Sequence, residues 1–217
     1  MAAAWHRPPT IRIDRLLVEH RPGEDQFVKP DELVLDTDRL WIRQWNQSDA
    51  ERVLDIQSRW DVVRWLDDDA QVMSSLEQAR AGIDRRRGIT EIQGVPCGHW
   101  AVEVKETGVV AGAVLLVLLP TLNRPADVRE IQIGWHLHPD SSGRGYAREA
   151  AAAALAYGFD QGVETIRALM FVDNTPSARV ARALGMTLEG TVTDQWYAGD
   201  SLLFVATADS ETEGHLR

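Results

Sequence analysis

The stretch Ser141-Ser142-Gly143-Arg144-Gly145-Tyr146-Ala147 is the part of this chain best suited to hold an anion. Two glycines one residue apart lead from a strand-like run into an alanine-rich segment, Ala150 to Ala154. Gly143 and Gly145 open backbone angles closed to other residues and keep side chains out of the approach path. The N–H groups of such a loop, backed by the positive end of a helix, can surround a pyrophosphate. The same residues also suit a plain helix-entering turn, and the spacing alone leaves both readings open.

The strand predicted before the loop, Val128 to His138, has two unlike faces. Ile131, Ile133, Trp135 and Leu137 point one way, and Glu130, Gln132, Gly134, His136 and His138 the other. The second face is too polar for a core layer and is expected to border a cleft. Glu130 and His136 are then candidates to accept or relay a proton. His136 and His138 share that face, but no cysteine or acidic residue stands at metal-motif spacing, so no metal is expected. After a further strand, Thr165 to Val172, the run Asp173-Asn174-Thr175-Pro176-Ser177 starts a helix, with Thr175 read as its N-cap. Ser177 shares one face with Val180, Ala181 and Leu184, so its hydroxyl needs a backbone or ligand partner.

The remaining elements must position these groups. Leu40 to Trp45 alternates as a strand, and Ser48-Asp49-Ala50-Glu51 and Ser74-Ser75-Leu76-Glu77 read as capping boxes that start two helices. Between them, Trp60, Trp65 and Asp67-Asp68-Asp69 either draw a cationic acceptor into a cleft or form a solvated connection. Arg85-Arg86-Arg87 complements the carbonyl end of the second helix. Gly98 to Leu119 reads as a hairpin, and Thr187 to Gln195 pairs with Ser201 to Ala208 through a turn at Ala198-Gly199-Asp200.

A chain of 217 residues, 44% hydrophobic and 26% charged, is expected to form one α/β domain. We place it at 34–208, after an N-terminal extension, 1–33, and before a polar tail, 209–217. The net charge of −10 argues against a nucleic-acid binder. The single cysteine, Cys97, excludes an intramolecular disulfide and fits a reducing, cytoplasmic setting. The residues after Met1 lack the apolar run of a signal peptide, and the longest apolar run, Val109 to Leu119, is too short for a membrane helix.

Taken together, the strand, glycine loop, alanine helix, strand, Asn174-x-x-Ser177 and Leu184-Gly185-Met186 resemble the GNAT superfamily of acyl-CoA-dependent N-acyltransferases. Leu35-Asp36-Thr37-Asp38-Arg39-Leu40-Trp41-Ile42-Arg43 and Asp173-Asn174-Thr175-Pro176-Ser177-Ala178-Arg179 look like its Rim-type branch, which acetylates ribosomal-protein N-termini and includes small-amine enzymes. The resemblance implies a mixed sheet of about six to seven strands, flanked by about four helices, in which two parallel strands splay to admit the thioester. It implies acetyl-CoA as donor and an amine-bearing acceptor, a small molecule or a protein N-terminus, with no nucleic acid and no membrane. A homodimer is compatible with it.

Carried onto this chain, the backbone of Leu137 and His138 would pair with the pantetheine arm. The N–H groups of Ser142, Gly143, Arg144, Gly145, Tyr146 and Ala147 would hold the pyrophosphate. Asn174 would hydrogen-bond the cofactor, Ser177 would protonate the departing thiolate, and Glu130 would serve as general base. Ser142 replaces the usual glutamine or arginine, and Gln132 stands where many relatives carry glutamate. An acyl group other than acetyl, such as succinyl, and a CoA-binding module without turnover are the competing readings.

Overall fold

Short apolar runs and capped helices follow one another along most of the chain. Leu33–Asp36 (β1) and Leu40–Arg43 (β2) form a first hairpin. Helices α1 (Ala50–Gln57), α2 (Trp60–Val63) and α3 (Leu76–Arg87) come next, then a minor pair, β3 (Glu91–Ile92) and β4 (Val95–Pro96). The strands β5 (Gly98–Val104), β6 (Val110–Leu118) and β7 (Ile131–Leu137) lead to α4 (Tyr146–Asp160). The chain ends with β8 (Thr165–Phe171), α5 (Thr175–Ala183), β9 (Thr187–Thr193) and β10 (Asp200–Thr207). This is a computed structural model, and it describes residues 30, 32–89, 91–92, 95–119, 130–195 and 197–208. Most of the expected extension, all of the tail and residues 120–129, with the first residues of the strand expected from Val128, lie outside the described residues.

Eight strands, rather than six or seven, form the main sheet in the order β1-β2-β5-β6-β7-β8-β10-β9. Every neighbouring pair is antiparallel except β7 and β8. The extra member is the short edge strand β1, while the expected strand β9 closes the other end of the sheet. A connection from β7 through α4 to β8 is what a parallel pair requires, because only a crossover returns the chain to the same end.

The two faces of the sheet hold separate cores. Trp100, Val102, Val114, Leu116, Ile131 and Ile133 pack against the alanines of α4. Gly158 lets that helix lie close, since a Cβ there would come 2.7 Å from Ile166 Cδ1. On the other face Trp45, Ala101 and Ala113 meet Ala50 and Val53 of α1 and Ala79 and Ile83 of α3. Arg43 fastens this layer, with a fork to Asp49 at 2.8 and 2.9 Å and its Nε 2.6 Å from Glu103.

Three helical starts differ from the expected ones, each because a neighbouring side chain reaches the free N–H groups first. Asn46, not Ser48, caps the short turn before α1, accepting from Ser48 N at 2.9 Å while Asp49 accepts from Asn46 N. Ser75 rather than Ser74 caps α3 through Gln78 N. Asn174 rather than Thr175 caps α5. The stretch expected to hold two helices holds three, since Trp60–Val63 forms its own turn.

Candidate active site

A gap opens where β7 leaves β8. Their ladder has only two pairs, Ile131 with Ile166 and Gln132 with Arg167. Beyond Gln132 each strand stays with its antiparallel neighbour: β7 pairs with β6 to Leu137, and β8 pairs with β10 to Phe171. The walls of the gap, Ile133 to Leu137 and Ala168 to Met170, form part of a cleft of about 1180 Å³. The polar face read from the sequence does border it, through Gln132, Gly134 and His136. Of the two backbone positions expected to pair with a ligand, His138 is already engaged. Its N–H donates to Ala111 O at 2.8 Å and its C=O accepts from Ser141 N at 3.0 Å. Alternation along an antiparallel strand then turns the N–H and C=O of Leu137 away from β6, into the gap.

At the open end lies the glycine loop. Gly143 and Gly145 take φ of 76° and 80°, the left-handed region that glycine enters without strain. Gly145 is the N-cap of α4 and offers no side chain, so the first N–H groups of a 15-residue helix stay available. Ser142, Gly143, Gly145, Tyr146 and Ala147 line the cleft, whereas the Arg144 side chain is exposed and outside its lining. Arg39 straps the loop from the start of β2. It donates to Arg144 O at 3.0 Å, pairs with Glu149 at 2.6 Å and lies over the Tyr146 ring. Thr37 Oγ1 donates to the same Glu149 at 2.7 Å. Thr37 and Arg39 are therefore structural, and their contacts fix the loop against β2.

Across the gap, α5 presents Asn174 and Ser177 to the cleft. Asn174 is buried, and its Oδ1 accepts from Ser177 N at 3.2 Å, which leaves its amide N–H groups for other partners. Ser177 is half-buried rather than packed into the core, where Ala178 and Ala181 sit instead.

The other end of the cleft is built from side chains. Tyr197 O–H donates to Gln132 Oε1 at 2.7 Å, and Asp68 accepts from Ala198 N at 3.0 Å, tying the β9–β10 turn to the segment after α2. Burial raises the Tyr197 phenol above its ordinary value, with Asp67 and Asp68 adding to the shift, so it stays protonated. Trp65, Asp67 and Asp69 line this end. Glu130 is not brought to it. It lies before β7, at the closed end of the gap, with its carboxylate 3.0 Å from Arg167. Its parity on the strand matches Gln132, but the ladder is still closed there.

Toward α1 and α3, the floor is formed by Gln57, His99, His136 and Arg86. Burial first, and then the nearby Arg86 charge, push His136 down to about 3 and His99 well below the ordinary 6.5. Both rings are therefore neutral near pH 7. Trp45 Nε1–H donates to His99 Nδ1 at 3.2 Å, which leaves the His99 proton on Nε2. Gln57 Nε2 lies 3.1 Å from His136 Nε2, and His136 Nδ1 is buried without a partner. His138 lies apart from them, held by Asp140 and Asp55. Among the described residues no group of three His, Cys, Asp or Glu side chains is placed to hold a metal.

Tyr197, Arg86, Gln57 and His99 are not singled out by the sequence, since each reaches the cleft from an element remote from the motifs. The alternation of His99 with Trp100 is the one available signal, because it puts a histidine on the face opposite the α4 core.

A family model described as the acetyltransferase (GNAT) domain matches residues 39–187. An uncharacterized N-acetyltransferase of Bacillus subtilis, YoaA, is 30% identical over 166 residues, covering 76% of this chain and 88% of that protein. The solved structure of a GNAT-family acetyltransferase from Bacillus anthracis superposes with a TM-score of 0.64 at 24% identity, over 79% of this chain and 96% of that one. Mycobacterium smegmatis RimJ, solved in complex with CoA-disulfide, gives a TM-score of 0.64 at 20% identity, over 81% of this chain and 85% of that one.

Proposed function

This chain belongs to the GNAT acetyltransferase family, and from that premise we propose that it moves an acetyl group from acetyl-CoA to a primary amine. The observation that carries the proposal is the parting of β7 from β8 beyond Gln132, directly before the glycine loop and opposite Asn174 and Ser177. The fold it shares with RimJ, together with the Thr37-Asp38-Arg39 strap, supports placing it in the Rim-type branch. Such an enzyme would act on a protein N-terminus or a small amine in the cytoplasm.

Acetyl-CoA supplies an activated acyl carbonyl, and the residues of the chain bind, orient and move protons around it. The N–H groups of Gly143 to Ala147, at the positive end of α4, suit the pyrophosphate. The free backbone edge of Leu137 suits an amide of the pantetheine arm, and so do the Asn174 amide hydrogens. Backbone N–H groups on the open edge of β7 would polarise the acyl carbonyl. The amine nitrogen forms its bond to that carbonyl carbon as the carbon–sulfur bond breaks. Ser177 Oγ–H is assigned as the proton source for the departing thiolate.

The amine must reach the carbonyl neutral, although an α-amine ordinarily titrates near 8 and a lysine-type amine near 10.4. Glu130, already engaged by Arg167, is a base only through water at the closed end of the gap. His136 lines the cleft wall, but a ring held down at about 3 and already facing Gln57 Nε2 is too weak a base to keep an amine proton, so that proton leaves through water. Release of free thiol from acetyl-CoA across a panel of amines and N-terminal peptides tests this function. Thiol released with at least one acceptor is expected. Binding of acetyl-CoA without release for any of them would leave a non-catalytic module, and faster release from succinyl-CoA would reassign the acyl group.

A further inference from the structure

Of the three consecutive arginines that end α3, each does something different. Arg87 reaches back to Glu32 at 2.7 Å and to Trp45 O, so it is spent on holding the fold. Arg85 is exposed. Arg85 and Arg86 both line the cleft, but Arg86 is the one that is desolvated in its wall, with the Arg85 charge nearby. Its Nη1 is buried with no hydrogen-bond partner, and no carboxylate among the described residues pairs with it. The Trp45 ring, 5.6 Å from the guanidinium carbon, satisfies a face of the group and none of its N–H donors. One helical turn earlier stands Gly82, where a Cβ would come within 3.1 Å of that same Nη1. A glycine inside a helix destabilises it relative to alanine, and here it leaves the space the guanidinium fills.

A buried cation without a counter-charge is costly, and native folds rarely leave one unless a ligand completes it. The groups around Arg86 add no negative charge. His99 and His136 are neutral, and His99 carries its proton on Nε2, so the floor offers further hydrogen-bond donors. The opposite end of the cleft has the reverse sign, with Asp67 and Asp69 beside Trp65. We infer that this cleft selects an acceptor that carries a carboxylate as well as its amine, and that Arg86 is the residue that pairs with the carboxylate.

This inference rests on the acetyl-transfer reading and narrows its substrate class. A guanidinium offers two parallel N–H donors to a carboxylate, a match that a neutral carboxamide cannot make. The amine would then lie toward Gln132 and the acyl carbonyl while the carboxylate is anchored under α3. Free amino acids and short peptides, whose amine and carboxylate are joined by a few bonds, have this form.

The test uses the full chain with acetyl-CoA and a panel of free amino acids and dipeptides, each alongside its C-terminal carboxamide, with thiol release as one readout. In parallel, N-acetyl amino acids and their carboxamides are titrated into the CoA-loaded protein. For wild type, kcat/KM for the acid is expected to exceed that of its amide by roughly 10- to 100-fold, as a charged hydrogen-bonded pair would give. In Arg86→Gln that ratio should fall to near one, and Arg86→Lys should keep part of it. Equal rates on acids and amides in wild type, or a ratio unchanged in Arg86→Gln, overturns the inference while acetyl transfer stands. If no thiol appears but binding still prefers the carboxylate through Arg86, the carboxylate site stands and the catalytic reading falls. Absence of both turnover and binding preference overturns both.

Discussion

The two ends of the cleft are built on different principles. The end at the glycine loop is made of backbone: two left-handed glycines, an uncapped helix start and the free edge of Leu137, all clamped by the Arg39–Glu149 pair. The rest of the cleft, its floor under α1 and α3 and its far end at Tyr197, is made of side chains from five separate segments: Gln57, Arg86, His99, Gln132 and Tyr197. A backbone site recognises a group common to every reaction of the family, and its requirements are few. A side-chain site can be rebuilt one residue at a time, which is how acceptors come to differ on a shared scaffold.

If this division is right, substitutions at one end should change the parameters of one substrate only. Ser177→Ala carries the largest expected effect. Loss of a proton donor should lower kcat by about 100-fold with the KM for acetyl-CoA unchanged. An unaltered kcat would remove Ser177 from the acid role. The acid side of the stability profile comes next. His136 has a folded-state value of about 3 against an ordinary 6.5, so its contribution is fully present above pH 6.5 and is lost as the pH falls toward 3. The slope contributed is at most about 1.4 kcal/mol per pH unit. His99 acts in the same direction. Chemical denaturation between pH 7 and 4 should therefore show a steep decline that His136→Asn flattens.

Tyr197→Phe should raise the acceptor KM several-fold and cost about 1 kcal/mol of stability, because Gln132 Oε1 loses its donor. If it altered the KM for acetyl-CoA instead, the two ends would not be independent. Arg39→Gln is the mildest. The pair it breaks is half exposed on the arginine side, so global stability should move by less than about 1 kcal/mol. The change should appear in the KM for acetyl-CoA, with acceptor kinetics untouched.

The same contrast explains which parts of the molecule the sequence reveals. Gly143 and Gly145 are legible because a left-handed backbone restricts the residue type at those positions. The polar face of β7 is legible because strand alternation is strict. Glu130 lies on that face, as parity requires, yet outside the cleft. The residue at which β7 parts from β8 is set by how each strand pairs with its other neighbour, and no local pattern encodes that. Arg85-Arg86-Arg87 reads as a uniform basic helix end. Only the 100° step between residues and the space at Gly82 separate the one that is desolvated in the cleft wall. Helix starts are legible to within a few residues, the usual margin when several Ser, Asn and Asp side chains compete for the same N–H groups.

Two-substrate initial rates of wild type and Gly145→Val test most directly the assignment of the glycine loop to the donor. A β-branched residue at a φ of 80° is strained, and its side chain would press on Arg39 Nη2, which lies 3.4 Å from a Cβ at that position. The account predicts a KM for acetyl-CoA raised by roughly 10- to 100-fold, from about 1–3 kcal/mol of strain, with the acceptor KM unchanged. A variant whose acetyl-CoA dependence matches wild type while its acceptor KM rises would contradict the assignment.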